Sequence, residues 1–218
     1  MSTDEKNLII TPEIFQKIYN LNFDYQNVFK VLLATVESLE EKFPFAIYNE
    51  SRAFTDHIGR CYIKNTDKKY IEEQLNRAER HLNRMIMDCY KELFVIYVKR
   101  IEEFKKYSRN LDFATISGGE FYPKYNRYLR EAEKRKKEAK KCVSYEEDYK
   151  VFQNAVVAYV ELDDYIQKHL SEIQRLKLKK GFKNVLGFLG WLAATVISAL
   201  LANNNQYIID CFKKCILK

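Results

Sequence analysis

Residues 185–202 read VLGFLGWLAATVISALLA, eighteen consecutive positions without a charge. About 20 apolar residues, rising about 1.5 Å each, cross a hydrocarbon core of roughly 30 Å, so this stretch predicts a transmembrane helix. The alternative is a helix buried in a globular core, but such a helix normally keeps a polar face. Here only Thr195 and Ser198 are polar. The sequence therefore predicts a helical body followed by one C-terminal membrane helix.

The residues on either side of this stretch predict its orientation. The segment before it is rich in cations and the segment after it is neutral, so the positive-inside rule places the N-terminal body in the cytoplasm. Three lysines beyond the neutral segment weaken this prediction of orientation. The C-terminal tail that carries them either stays outside or folds back as an interfacial helix. The cations before the stretch are Arg175, Lys177, Lys179, Lys180 and Lys183, and those after it are Lys213, Lys214 and Lys218.

The rest of the chain predicts long helices, because it has only 6 Gly and 3 Pro in 218 residues. We expect an all-α long-helix bundle whose C-terminal transmembrane helix continues from, or adjoins, a heptad-patterned helix. The expected parts are a helical part over 1–108, a loop over 109–122, a two-helix part over 123–180, the membrane helix over 181–204 and a tail over 205–218. The expected helices run from Thr11 to about Lys42 with a break near Asn22, from Pro44 to Tyr62, from Asp67 to Tyr107, from Lys124 to Lys141, and onward from Ser144.

The cysteines and short motifs give no sign of metal or cofactor chemistry. The five cysteines are scattered and no pair has metal-ligand spacing, which favours reduced thiols and predicts no metal site. The chain has no phosphate-binding loop and no Gly-x-Ser-x-Gly turn, so we expect no cofactor. It also lacks an N-terminal apolar segment, so we expect no signal peptide.

A heptad pattern runs along the predicted helix that begins at Ser144. Apolar residues recur at alternating steps of four and three, as they do along a coiled-coil seam, with one acidic residue among them. The seam packs either against the other helices of the same chain or against copies of itself in an oligomer of roughly three to six chains. Its residues are Tyr145, Tyr149, Phe152, Val156, Tyr159, Asp163, Ile166, Leu170 and Ile173.

Two sets of cations predict an anion-binding surface. From Lys124 to Lys141 there are nine Lys or Arg against three Glu, with tyrosines interleaved. Helical spacing places one subset on a single face, which suits phosphates and stacked bases. The alternative is structural, with this face paired to the acidic heptad helix or simply solvated. The first set is Arg127, Arg130, Lys134, Lys137 and Lys141, and the second is Arg77, Arg80 and Arg84.

One short motif suggests an enzyme. Arg52 and His57 fit the pattern Arg-x4-His, which resembles the motif of the HEPN ribonucleases, an all-helical family in which the Arg and His act together on an RNA phosphodiester. The sequence departs from that family at Ala53, where a polar residue is usual. This resemblance implies a membrane-tethered ribonuclease as an alternative function.

The chain as a whole resembles the membrane effectors of bacterial anti-phage defence systems, most of all the Hailong membrane effector family. The likeness lies in its size, helical body, basic cytosolic surface and membrane helix near residues 185–202. It implies a non-enzymatic channel that permeabilises the bacterial inner membrane. Among the expected oligomers, it favours a tetramer. It also implies control by a short single-stranded nucleic acid or nucleotide, made by a partner nucleotidyltransferase. A tail-anchored scaffold is the remaining alternative.

Overall fold

The computed structural model describes residues 10–40, 44–63, 67–141, 149–182 and 186–195. Regular structure in these ranges is helical throughout, which confirms the predicted all-α class. The helices are α1 (Pro12–Asp24), α2 (Lys30–Leu39), α3 (Phe45–Ile63), α4 (Lys68–Tyr107), α5 (Phe121–Lys141) and α6 (Tyr149–Lys168), followed by α7 (170–182) and α8 (186–195).

Helix α1 begins where its capping residues predict. The hydroxyl of Thr11 accepts a hydrogen bond from the backbone N–H of Ile14, and proline occupies the first helical position. A π-helical turn, Tyr25–Phe29, joins α1 to α2, so the predicted break near Asn22 is instead a local widening of a continuous helix. The Tyr25 ring stacks on Phe54 of α3 at 5.0 Å, which packs this turn against the next helix.

Helix α4 is the longest element, 40 residues or about 60 Å. The carboxylate of Asp67 caps it by accepting from the N–H groups of Lys69 and Tyr70. Its N-terminal half packs against α1, α2 and α3, and its C-terminal half packs against α5 and α6. Its buried apolar residues recur at three- and four-residue steps, as the sequence predicts: Ile71, Leu75, Ala78, Leu82, Met85, Cys89, Leu93 and Ile96.

The heptad seam packs inside this chain. On α6, Tyr149 stacks on Tyr90 at 6.2 Å, and Tyr159 meets Phe94 edge-on at 5.9 Å. Both partners lie on α4. Phe152 and Val156 join the same core, and Ile166 is also buried. Of the two possibilities that the heptad leaves open, the structure shows the packing against another helix of the same chain. Tyr145 lies outside the described residues.

The described residues divide into two compact units. One contains α1 to α4 together with 122–168, and the other contains 108–121 and the chain from His169 onward. In the second unit a 3₁₀ segment, Phe113–Gly119, is bonded to α7, because the backbone N–H and the hydroxyl of Ser117 both donate to the Glu172 carboxylate. Two further seam positions, Leu170 and Ile173, are half-buried and buried here.

The predicted membrane segment is described only in part. Residues 186–195 form α8, while 183–185 and everything from 196 onward, including the tail at 205–218, lie outside the described residues. Among the helices that the structure describes, none combines the length and the apolarity needed to cross a bilayer.

Candidate functional site

An open groove of about 870 Å³ runs along the outer side of α5. Three of the five cations in the first predicted set, Arg127, Arg130 and Lys134, line it. Tyr122, Pro123, Asn126, Tyr128 and Glu131 lie on the same wall, and Glu161 of α6 lines it from another helix. With three cations against two carboxylates the groove is net basic, and it is partly aromatic and open to solvent.

Helix α5 presents these cations outward because its opposite face is anchored. Phe121, Tyr125, Ala132 and Ala139 are buried at steps of four, seven and seven, which is one face of a helix. At about 100° per residue, the five predicted cations fall within an arc of about 80° on the side opposite that buried face. All five side chains are exposed. We call this set the basic stripe: Arg127, Arg130, Lys134, Lys137 and Lys141.

Most cations of the basic stripe have no ion pair within the part of the chain that the structure describes. Among the described residues, no side chain forms an ion pair or hydrogen bond with Arg130, Lys134, Lys137 or Lys141. Neighbouring cations of the same helix behave differently. Arg135 binds Glu131 at 2.8 Å and Glu138 at 3.0 Å, and Lys136 binds Glu102 at 3.5 Å. One side of α5 is thus neutralised, and the other keeps its positive charge.

Aromatic rings lie beside the stripe. The Arg127 guanidinium sits 5.4 Å from the centre of the Tyr128 ring, and Tyr128 contacts Tyr165 of α6 at 5.2 Å. The side chain of Tyr122 is 50% exposed at the end of the groove. Cations interleaved with accessible rings can bind phosphates and stack bases at the same time.

The acidic heptad helix does not pair with the stripe in the described part of the chain. Asp163 binds Arg100 of α4 at 3.3 Å, and Glu172 binds Ser117 at 2.9 and 3.0 Å. The N–H and hydroxyl of Ser117, with His169, hold the pKa of Glu172 below its ordinary value. Glu161 reaches the groove but forms no ion pair with a described residue. Glu146, Glu147 and Asp148 lie outside the described residues.

The second predicted set of cations is mostly neutralised. Arg77 binds Glu73 at 2.5 Å, and Arg84 binds Glu50 at 3.2 Å. Arg80 is the exception, since it is exposed and has no ion pair among the described residues. Of the two predicted sets, the stripe on α5 is therefore the one whose cations mostly lack ion pairs among the described residues.

Arg52 and His57 do not converge. They are five residues apart on α3, so they point about 140° away from each other around the helix. Arg52 is exposed, whereas His57 turns toward α4 and its Nδ1 donates to Oε1 of Gln74 at 2.7 Å. The His57 ring also stacks on His81 at 5.2 Å. This histidine thus connects two helices of the bundle.

A polar cluster surrounds that pair of rings. Nδ1 of His81 donates to the Glu50 carboxylate at 2.6 Å, and Arg84 donates to the same carboxylate. Burial by itself raises the pKa of Glu50, but these two hydrogen bonds outweigh it and leave the pKa below its ordinary value. Within the described ranges, no three His, Cys, Asp or Glu side chains are grouped so as to hold a metal ion.

Sequence reasoning missed Glu161 as a groove residue. Its chemistry was visible in the acidic heptad helix, but its place opposite the stripe depends on how α5 and α6 pack, which periodicity does not give. The pairing of Arg135 was predictable, because glutamates lie four residues before it and three after it. No known protein family matches this chain, and comparison with curated proteins and solved structures finds no significant similarity.

Proposed function

We propose that this protein is a membrane-attached, oligomeric effector that permeabilises the bacterial inner membrane under the control of an anionic nucleotide or short single-stranded oligonucleotide. The ligand binds the groove on α5, and the N-terminal body lies in the cytoplasm. The resemblance to anti-phage membrane effectors supports a role in defence, with a nucleotidyltransferase as the partner that makes the ligand.

The observation that carries this proposal is the unpaired basic stripe. Cations on one helical face repel one another unless a counter-charge is near, and here Glu131, Glu138 and Glu102 are bound to other side chains, which leaves Glu161 as the one unpaired carboxylate among the described lining residues. Phosphates supply the missing charge, and their binding gains free energy from the release of condensed counterions. The half-exposed Tyr122 beside the stripe favours a nucleotide over a bare inorganic anion, because a base can stack on it.

Helix α8 supports membrane attachment. Every residue of 186–195 is exposed, and large apolar side chains occupy more than half of the circumference of the helix, including Phe188 at 59% and Trp191 at 64%. A surface of this kind is unfavourable in water unless lipid or another chain covers it. The chain continues with further uncharged residues to position 202, the length on which the predicted transmembrane helix rests.

The ribonuclease alternative has less support. Arg52 is exposed, whereas His57 is turned toward α4. His57 already has structural partners in Gln74 and His81.

Dye release from liposomes tests the proposed function. The full-length chain is reconstituted into vesicles containing a self-quenched dye, and leakage is followed with and without single-stranded oligonucleotides. We expect release by the protein and a change in its rate when oligonucleotide is added. The variant Arg130→Gln/Lys134→Gln should keep the basal release and lose the response to oligonucleotide.

A matched variant, Lys99→Gln/Lys106→Gln, removes the same charge from exposed positions of α4 outside the groove and should respond like the parent chain. In cells, a ligand that keeps the channel closed makes the stripe variant toxic, and a ligand that opens it makes the same variant inert. Vesicles that stay intact under every condition would contradict the proposal.

A further inference from the structure

An aromatic stripe lies exposed on α1. Phe15, Tyr19 and Phe23 follow one another at steps of four, and their side chains are 62%, 54% and 52% exposed. The rings of Tyr19 and Phe23 contact each other at 6.2 Å, so they form a continuous ridge. The buried residues of the same helix, Ile14, Ile18 and Leu21, face the core on another side. The ridge is therefore a second apolar face.

The sector around this ridge carries no charge. At about 100° per residue, Pro12, Gln16 and Asn22 flank the three rings, and all of these side chains are neutral. The charged residues of α1, Glu13, Lys17 and Asp24, cluster together about 140° from the middle of the ridge. Since 31% of the whole chain is charged, a helix face of this width with no charge is unusual.

The charges at the back of α1 argue against lipid as the occupant. Helices that lie on membranes carry Lys and Arg on their polar face. Here the only cation, Lys17, is bound to Glu79 at 2.9 Å, and the remaining charges of the helix are acidic. An anionic membrane surface would repel that arrangement.

We propose that this ridge is where two copies of the chain meet, with α1 of one copy packed antiparallel on α1 of the other. A body with a net charge of +7 repels its own copies at most surfaces, and the uncharged ridge lets them approach with the least repulsion. The interface deepens the proposed oligomer by identifying one of its contact surfaces.

The register of the contact follows from the two-fold symmetry of such a pair. An isologous contact centred on the ridge places Tyr19 against Tyr19 of the other copy and Phe15 against Phe23. Ridges formed at steps of four interdigitate at a crossing angle of about 50°. Three rings exposed by half or more contribute on the order of 100 Å² each, out of the roughly 800 Å² that each partner buries in a stable interface. The ridge is thus the anchor of a larger interface.

Disulfide cross-linking of the full-length chain in mild detergent tests this register. Tyr19→Cys should give a cross-linked dimer on mild oxidation, above the background of the parent chain, which has its own cysteines. A mixture of Phe15→Cys and Phe23→Cys should cross-link more than either variant alone. Asp24→Cys is the matched control, because it is exposed on the same helix but faces away from the ridge. It should stay at background.

Mass photometry gives a second readout. The Tyr19→Glu substitution should shift the population to smaller species. If Tyr19→Cys remains oligomeric but cross-links no more than the parent chain, this interface is wrong and the proposed oligomer is not affected. A monomeric parent chain would overturn the oligomer and the interface together. Loss of liposome binding by Tyr19→Glu, with the oligomer intact, would assign the ridge to lipid instead.

Discussion

The carboxylate of Asp163 accepts a hydrogen bond from the Arg100 guanidinium at 3.3 Å. Asp163 is the one polar residue of the heptad seam, and it is buried, with its side chain only 10% exposed. Arg100 on α4 is 46% exposed and also lies over the Tyr97 ring at 5.6 Å. The acidic seam position thus has its partner within the same chain, as expected for an intramolecular seam.

The two ends of this ion pair should respond differently to substitution. Arg100→Ala leaves a buried carboxylate without its partner, and we expect it to lower the free energy of unfolding by about 1–3 kcal/mol. Asp163→Leu removes the buried charge and leaves the half-exposed Arg100 in water, so it should lower the free energy of unfolding by less than Arg100→Ala does. Denaturant unfolding in mild detergent measures both, with the exposed Lys99→Ala as the control. A larger loss for Asp163→Leu than for Arg100→Ala would contradict this explanation.

His57→Ala should affect stability rather than catalysis. The substitution leaves the amide oxygen of Gln74, a residue only 3% exposed, without its hydrogen bond, at a cost of about 1–3 kcal/mol. Arg52→Ala on the exposed side of α3 should change stability by less than about 0.5 kcal/mol. We expect the purified parent chain to leave RNA intact. Robust RNA cleavage that both substitutions abolish would support the ribonuclease instead.

The contribution of Glu50 to stability should depend on pH. Its pKa in the folded chain lies below the ordinary value of 4.5, so its ionised form is stabilised by folding. This contribution is fully present above pH 4.5 and is lost as the pH falls through the folded pKa. Glu50→Gln should therefore be less stable than the parent at pH 7, and the gap should narrow in acid. Thermal unfolding across that pH range measures the gap, and a gap that widens in acid would contradict the prediction.

Glu161→Gln should strengthen the binding of anionic ligands. Glu161 lines the groove beside Arg130 and Lys134 and has no cation partner among the described residues, so its charge repels phosphates. Asp164→Asn is the matched control, because it removes the same charge from an exposed position of α6 outside the groove. Fluorescence anisotropy with a labelled oligonucleotide should show tighter binding for Glu161→Gln only. An equal gain for both variants would mean that net charge alone decides the affinity.

The sequence predicted the features that depend on local spacing. The Asp67 cap and the apolar steps after it placed α4 almost to the residue, and the steps of three and four placed the basic stripe on one exposed face of α5. Both depend on helix geometry alone.

Features that depend on packing between helices could not be predicted. The heptad predicted a seam but not its partner, and the partner proved to be α4, through Tyr90 and Phe94. From the sequence alone, the aromatic residues of α1 would be taken for core residues. The structure shows that Ile14 and Ile18 face the core and that the aromatic ridge is exposed. In each case the sequence predicts which residues share one face of a helix. The residues that pack against that face depend on the neighbouring helix, which the sequence pattern does not identify.

Oligonucleotide binding by the basic stripe, measured against salt concentration, tests the central claim most directly. The full-length chain in mild detergent is titrated into a labelled single-stranded oligonucleotide, in parallel with Arg130→Gln/Lys134→Gln and with Lys99→Gln/Lys106→Gln of α4. We predict weaker binding and a salt slope that falls by about 1.4 for the stripe variant, at about 0.7 for each lost phosphate contact. The α4 variant, whose lysines lie outside the groove, should bind like the parent chain. Absence of binding by the parent, or equal losses in the two variants, would contradict the claim.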